Sequence, residues 1–173
     1  MDDGAAYPPV NVLRLLVRQQ ALIHDLLLRY RGARRGLSAR DAQTLTRSFC
    51  TAIAVHLHLQ EEILYPAARE LLADDRLVDS LEAEQRDVRQ LLAALCPDPG
   101  AEPLGGTRLA ELSERLDRLF EHEQTRLFPR LDDMGLDLRG LGQQLLGRQR
   151  QLLDAADRDP ALLFAAPGPG PLH

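Results

Sequence analysis

The chain is 173 residues long, and 45% of it is hydrophobic while only 4% is aromatic. This length suits one compact domain, and helix-favouring residues such as Leu, Ala, Arg and Glu outnumber β-branched residues, which indicates an all-α fold. The formal net charge is -5, and acidic and basic residues are interleaved along the chain, so we expect no nucleic-acid partner.

Two helices are predicted in the first part of the chain. Apolar residues recur at helical spacing after a Pro-Pro pair and predict the first helix over residues 10–30. Ser38 and Asp41 have the spacing of a capping box and predict the start of a second helix over 39–65. Pro66 should kink or break this helix, although the AARELL that follows can add one or two turns.

The remaining helices are divided by proline and glycine. The Asp74-Asp75 pair can cap a third helix, which should end before the loop CPDPGAEPLGG. Thr107 can cap a fourth helix, which should stop at about residue 128, before Pro129. A shorter fifth helix is predicted over 136–156. The expected organisation is an N-terminal arm (1–9), a helical bundle (10–156) and a disordered Pro/Gly-rich tail (157–173).

A weak internal repeat relates the two halves of the predicted bundle. The segment ILYP at 63–66 matches RLFP at 126–129, an offset of 63 residues, and Gln20 aligns with Gln85 at an offset of 65. Two helical hairpins of similar design would pair as an antiparallel up-down four-helix bundle, with the fifth helix outside it or across one end.

Polar residues interrupt the apolar seam of every predicted bundle helix. A buried polar group without a partner costs about 1–3 kcal/mol, so these residues should meet and satisfy one another inside the bundle. His56 and Gln60 are also four residues apart, the spacing from which metal sites are built in bundle cores. The residues that form this predicted polar cluster are Gln20, His56, Gln60, Gln85 and Glu123.

The motifs HLHLQEEILYP and LFEHEQTRLFP resemble those of the haemerythrin-like, or HHE cation-binding, family over roughly residues 10–155. In that family each motif carries a His and a carboxylate ahead of an aromatic-Pro pair, and the first and third helices each supply a further His. The resemblance implies a four-helix bundle with iron in its core that binds oxygen or nitric oxide or reports redox state.

The match to the family's ligand positions is incomplete, and each departure puts a weaker metal ligand or an apolar residue at a ligand position. Gln20 and Gln85 stand where the resemblance places histidines, Gln60 stands in place of a carboxylate, and Leu119 in place of a histidine. His56 and Glu123 are retained. The resemblance therefore implies a divergent member with an eroded metal site.

Other residues near the motifs could add ligands. His24 lies one turn from Gln20, and His122 neighbours Glu123, so the candidate metal residues are His56, Glu123, His24 and His122. His58 and Glu62 point away from His56 by helical geometry and are expected on a solvated face. Cys50 and Cys96 lack a CxxC or zinc-type spacing and are expected to be free thiols.

Two functions from different classes follow. In the first, Gln20, Gln60 and Gln85 close a polar, altered or metal-free core that holds a small ligand, and the domain is a non-enzymatic binding or regulatory module with a protein partner or as a homodimer. In the alternative, the protein binds iron for oxygen, nitric oxide or redox sensing. A conventional di-iron centre is not expected, and the cofactor is left open. An enzyme is less favoured, because no nucleophile with an adjacent base occurs.

We expect a cytoplasmic protein without a membrane partner, because no apolar stretch of roughly 18 residues is present.

Overall fold

The computed structural model describes residues 10–33, 35–96 and 106–164, and every regular element within these ranges is helical. The bundle consists of four continuous helical stretches, residues 12–33, 39–72, 75–95 and 106–133, which we call rods. The second and fourth rods each contain a short π-helical turn, and we call these turns π1 and π2. The elements are α1 (Val12–Ala33), α2 (Ala39–Leu59), π1 (Gln60–Leu64), α3 (Tyr65–Leu72), α4 (Asp75–Leu95), α5 (Gly106–His122), π2 (Glu123–Leu127), α6 (Phe128–Asp133), α7 (Leu138–Arg158) and a 3₁₀ helix (Pro160–Leu163).

The helices form a four-helix bundle with a fifth helix on its outside, so the predicted fold class is confirmed. α1 packs along α2 and α4 packs along α5, which gives the two expected hairpins, while α7 packs against α1 and α2. No helix in the described ranges is long and apolar enough to cross a bilayer. The predicted arm 1–9 and the last nine residues of the predicted tail lie outside the described residues.

The apolar stripes of the bundle helices meet in one core. Leu16 and Ile23 of α1 and Ile53 of α2 are almost fully buried. Tyr30, near the end of α1, and Phe49, in the middle of α2, contact each other edge to face, with ring centroids 5.3 Å apart. Helical spacing in the sequence therefore identified the buried face correctly.

The two proline-containing rods both continue past their prolines. The fourth rod continues through Pro129 to Asp133, so the predicted stop at about residue 128 is wrong, while the second continues through Pro66 to Leu72, the extension over AARELL that the sequence allowed. A proline ring clashes with the carbonyl group four residues earlier in an α-helix. The π turns relieve this clash, because the N–H groups of Tyr65 and Phe128 bond five residues back to Gln60 and Glu123.

The helix ends follow the predicted caps with one exception. Ser38 Oγ accepts from the Asp41 N–H, and Asp74 accepts from the Leu77 N–H. Thr107, however, lies inside α5 and does not cap it.

Ordered structure extends beyond residue 156, where the tail was predicted to begin. α7 runs to Arg158, and a 3₁₀ turn follows in which the side chain of Asp159 accepts from the Ala161 N–H. Leu163 is 1% exposed, so this turn is packed onto the bundle. The predicted boundary therefore lies too early by at least the length of this turn.

A disulfide replaces the two free thiols that the sequence predicted. Cys50 on α2 is bonded to Cys96, the residue after α4, with their Cα atoms 6.2 Å apart. The bond closes a loop with a sequence separation of 46 residues. No short motif marks this pair, because the contact arises only when α2 packs against α4.

Reducing this disulfide should destabilise the bundle measurably. Cross-links over loops of this length typically contribute about 2–4 kcal/mol, largely by restricting the unfolded chain. We expect dithiothreitol to lower the free energy of unfolding by this amount in urea titrations. The Cys50→Ala/Cys96→Ala double variant serves as the control and should not respond to the reductant. Equal unfolding midpoints for the wild type with and without reductant would contradict the expectation.

Candidate functional site

The carboxylate of Glu123 is the centre of a buried polar cluster. It lies at the start of π2 and is 0% exposed. Its Oε2 atom accepts hydrogen bonds from Gln20 Nε2 and Gln60 Nε2, each at 2.7 Å, and its Oε1 atom accepts one from the Tyr65 hydroxyl at 2.6 Å. Side chains from the first and second rods therefore converge on a carboxylate of the fourth.

Further amides extend the cluster on both sides of Glu123. Gln85 Nε2 donates to the Leu57 carbonyl at 2.9 Å and to Gln60 Oε1 at 3.3 Å. On the other side, Gln124 Nε2 donates to Gln20 Oε1 at 2.6 Å. Gln20 and Gln60 thus both donate to the carboxylate and accept from another amide, whereas the buried Gln85 Oε1 has no partner among the described residues.

His56 is fully buried beside this cluster but bonds elsewhere. Its Nδ1 atom lies 2.8 Å from Gln19 Oε1, and its ring contacts Phe120 edge to face at 5.3 Å between centroids. The Gln19 oxygen can only accept, so Nδ1 carries the proton and Nε2 keeps a lone pair. Within the described ranges that lone pair has no partner. Burial lowers the pKa of His56 from 6.5 to about 3, which keeps the ring neutral.

Burial also dominates the electrostatics of Glu123. Loss of solvation raises the pKa of this carboxyl from 4.5 to about 7, and the hydrogen bonds from Tyr65 and Gln60 oppose the rise without cancelling it. The same burial, with the facing carboxylate, raises the pKa of the Tyr65 hydroxyl, so the phenol remains a donor. Glu123 can therefore exchange a proton near neutral pH inside an otherwise neutral cluster.

Of the predicted seam residues, the structure joins four and keeps one apart. Gln20, Gln60, Gln85 and Glu123 share one hydrogen-bond network, and all are at least 98% buried. His56 is buried as well but is bonded to Gln19. Whether this cluster binds a ligand or an ion stays a prediction.

The two flanking histidines proposed as ligands lie away from Glu123. The side chain of His24 is 57% exposed and its Nδ1 is 3.5 Å from Asp117 on α5. The side chain of His122 is 25% exposed and its Nδ1 is 2.7 Å from Glu84 on α4. Each histidine therefore makes its contact with a carboxylate of another helix, other than Glu123.

His58 is not solvated, contrary to the sequence expectation. It is 6% exposed, its Nε2 lies 2.9 Å from the Leu163 carbonyl oxygen, and its Nδ1 lies 3.6 Å from Glu62. Glu62 is exposed and is bound by Arg148 of α7. The outer face of α2 is covered by α7 and the 3₁₀ turn, which helical geometry within α2 could not reveal.

The sequence did not single out Tyr65 or Gln124 as members of the cluster. Tyr65 is the aromatic residue of the ILYP motif, and its counterpart in RLFP is Phe128, which has no hydroxyl. This difference between otherwise matching motifs was the available signal. Gln124 follows Glu123 directly and is exposed, so the seam pattern did not include it.

Comparison with known proteins now gives the family. The sequence model described as Hemerythrin HHE cation binding domain matches residues 11–131, and the chain belongs to this family. The fold is similar to the crystal structure of a haemerythrin HHE cation-binding domain-containing protein from Mycobacterium kansasii, with a TM-score of 0.74. That match has 21% sequence identity and covers 90% of this chain and 98% of the other. No curated protein sequence matches the chain.

The donor set in the core does not fit the iron centre that this family name implies. Among the residues that the structure describes, no three His, Cys, Asp or Glu side chains are grouped so that they could hold a metal ion. Leu119 is fully buried where the resemblance places a histidine. Hydrogen-bond donors rather than metal ligands face Glu123, since Gln20 and Gln60 direct their NH₂ groups at it.

Protonation of Glu123 should make stability pH-dependent in a defined window. Because its pKa is about 7 in the folded chain and 4.5 ordinarily, folding favours the protonated form, and the resulting stability is lost as pH rises from 4.5 to 7. The Glu123→Gln variant cannot titrate. Its free energy of unfolding relative to wild type should increase by about 1.4 kcal/mol per pH unit in this window and stay level outside it. A constant difference across the window would contradict the assignment.

Replacing Glu123 alone should lower the free energy of unfolding more than replacing Glu123 together with its three donors. Glu123→Leu leaves the donors of Gln20, Gln60 and Tyr65 buried without an acceptor, at about 1–3 kcal/mol each. Replacing Gln20, Gln60 and Glu123 by Leu and Tyr65 by Phe removes the donors together with the acceptor. We expect this quadruple variant to be more stable than Glu123→Leu in urea unfolding, and the reverse order would show that these donors do not depend on Glu123.

Proposed function

We propose that this haemerythrin-like domain is a non-enzymatic binding or regulatory module in which hydrogen bonds to Glu123 take the place of a metal centre. The observation that carries the proposal is the number of hydrogen bonds that the carboxylate accepts. Oε2 accepts two N–H groups and Oε1 accepts one O–H group, so three of its roughly four lone-pair sites are used.

The competition between donors and a cation supports this proposal. A hard or borderline metal ion needs several oxygen or imidazole ligands whose lone pairs point at it. Here the amide nitrogens of Gln20 and Gln60 point at the carboxylate, and an ion beside Glu123 would meet their hydrogens. Metal binding would require both amides to turn and their contacts with Gln124 and Gln85 to break.

The chemistry of the core supports a non-enzymatic role. His56 stays neutral because its pKa is about 3, and its Nδ1 proton is held by Gln19. Glu123 is enclosed by its donors and is fully buried. A general base must reach a substrate proton within about 3 Å, and neither group meets that requirement in a sealed core. The cluster instead joins all four rods, as a metal does by sharing ligands among helices.

The alternative is an iron-binding protein for oxygen, nitric oxide or redox sensing, and one observation favours it. His56 Nε2 presents an unprotonated lone pair without a partner among the described residues. Together with Glu123, this nitrogen would give an ion two strong protein ligands, fewer than such ions usually require.

Metal analysis of anaerobically iron-loaded protein separates the two functions. We expect no stoichiometric iron, no oxo-bridge absorption band and no increase in thermal stability on adding Fe²⁺. A restored variant is the positive control: Gln20→His, Gln60→Glu, Gln85→His and Leu119→His return the ligand types that the family pattern places there, and should increase iron binding. About two irons per wild-type chain with an oxo-bridge band would overturn the proposal.

A further inference from the structure

A groove on the open side of the bundle is distinct from the buried cluster. It lies between α1 on one side and π2 with α6 on the other, and has a volume of about 480 Å³, within the range of small-molecule sites. α1 makes few contacts with α5, which leaves this side of the bundle open at the surface. The groove is lined by Leu13, Arg14, Val17, Arg18, Gln124, Phe128, Pro129 and Asp132.

The α1 wall of the groove carries two arginines without side-chain partners. Arg14 and Arg18 are one helical turn apart, both are exposed, and both line the groove. Within the described parts of the chain, neither guanidinium forms an ion pair or a hydrogen bond. Other arginines do, among them Arg89 with Glu61 at 2.7 Å and Arg130 with Asp74 at 2.7 Å. The groove therefore offers two uncompensated cationic groups on one wall.

The remainder of the lining is mostly apolar. Leu13 and Phe128 are buried at the base, Val17 is 40% exposed, and Pro129 lies on the α6 side. Among the described residues that line the groove, Asp132 is the only acid, and it lies on the α6 wall, so an anion is favoured at the α1 wall and repelled from the opposite one.

We propose that this groove binds a small amphipathic carboxylate, with its anionic group on Arg14 and Arg18 and its hydrocarbon part against Leu13, Val17 and Phe128. Arginine pairs with carboxylates in a planar two-bond geometry, and the apolar base removes the hydrocarbon from water. A neutral ligand would leave the two guanidinium groups unpaired. The proposal goes beyond the function proposed for the core and does not depend on whether the core holds a metal.

Gln124 connects the groove to the buried cluster. It lines the groove, and its Nε2 donates to Gln20 Oε1, while Gln20 donates in turn to Glu123. A ligand beside Gln124 therefore lies two hydrogen bonds from the buried carboxylate. This path gives a binding event at the surface a physical route to the core.

Titration with octanoate, followed by ¹H–¹⁵N NMR, tests the proposal on the full chain. We expect saturable shifts centred on α1 residues 13–18 and on Gln124. The Arg14→Gln/Arg18→Gln variant should bind about tenfold more weakly, since each exposed charge contact contributes about 0.2–1 kcal/mol. Octanamide keeps the hydrocarbon tail but lacks the charge, and should bind the wild type about tenfold more weakly than octanoate does. Arg40→Gln/Arg47→Gln, which removes two exposed arginines from α2, is the matched control and should bind octanoate within twofold of wild type.

Three results would overturn the proposal. The first is the absence of saturable shifts at millimolar octanoate. The second is equal affinity of the Arg14/Arg18 variant, or equal affinity for octanamide, because the arginines would then not select the anion. The third is a wild-type dimer in sedimentation analysis that Val17→Arg converts to a monomer, which would assign the groove to a second copy of the chain.

Discussion

A fully buried carboxylate constrains the whole bundle. Glu123 is 0% exposed, and its charge is tolerated there when donors surround it or a proton neutralises it. Both responses are present: three donors reach it from two other rods, and its pKa is raised to about 7. A shift of any one rod would leave a donor or the carboxylate unsatisfied, so the cluster fixes the relative positions of the helices.

The π turns explain how these side chains come to face one another. Gln60 and Glu123 are the first residues of π1 and π2, they are equivalent in the internal repeat, and they are bonded to each other. In each turn the residue before a proline, Tyr65 or Phe128, donates its backbone N–H to the carbonyl group five residues earlier. The prolines therefore do not end the rods but accompany a local widening at the level of the cluster. The two halves of the repeat have the same backbone geometry at this level, but one supplies the amide Gln60 and the other the acid Glu123.

Most of the fold and part of the site could be predicted from the sequence. Spacing of apolar residues located the helices and, through its interruptions, identified Gln20, Gln60, Gln85 and Glu123 as buried, because a bundle seam is a local property of each helix. What failed depended on contacts between distant segments. His58 is buried only because residues near Leu163 return to cover it, and Cys50 meets Cys96 only across packed helices. Tyr65 was missed for a related reason, since its partner is 58 positions away.

Family membership and site chemistry give different information here. The fold requires that the four rods be held at one level by something polar, because the seam residues are too polar to pack as an apolar layer. Metal coordination and a network of amides both meet this requirement, and glutamine has the length and the paired donor and acceptor needed for the second. Gln20 and Gln60 use both functions at once. In this haemerythrin-like bundle the amides of Gln20 and Gln60 therefore bond to one buried acid, and Glu123 is the shared acceptor that makes two glutamines favourable in the core.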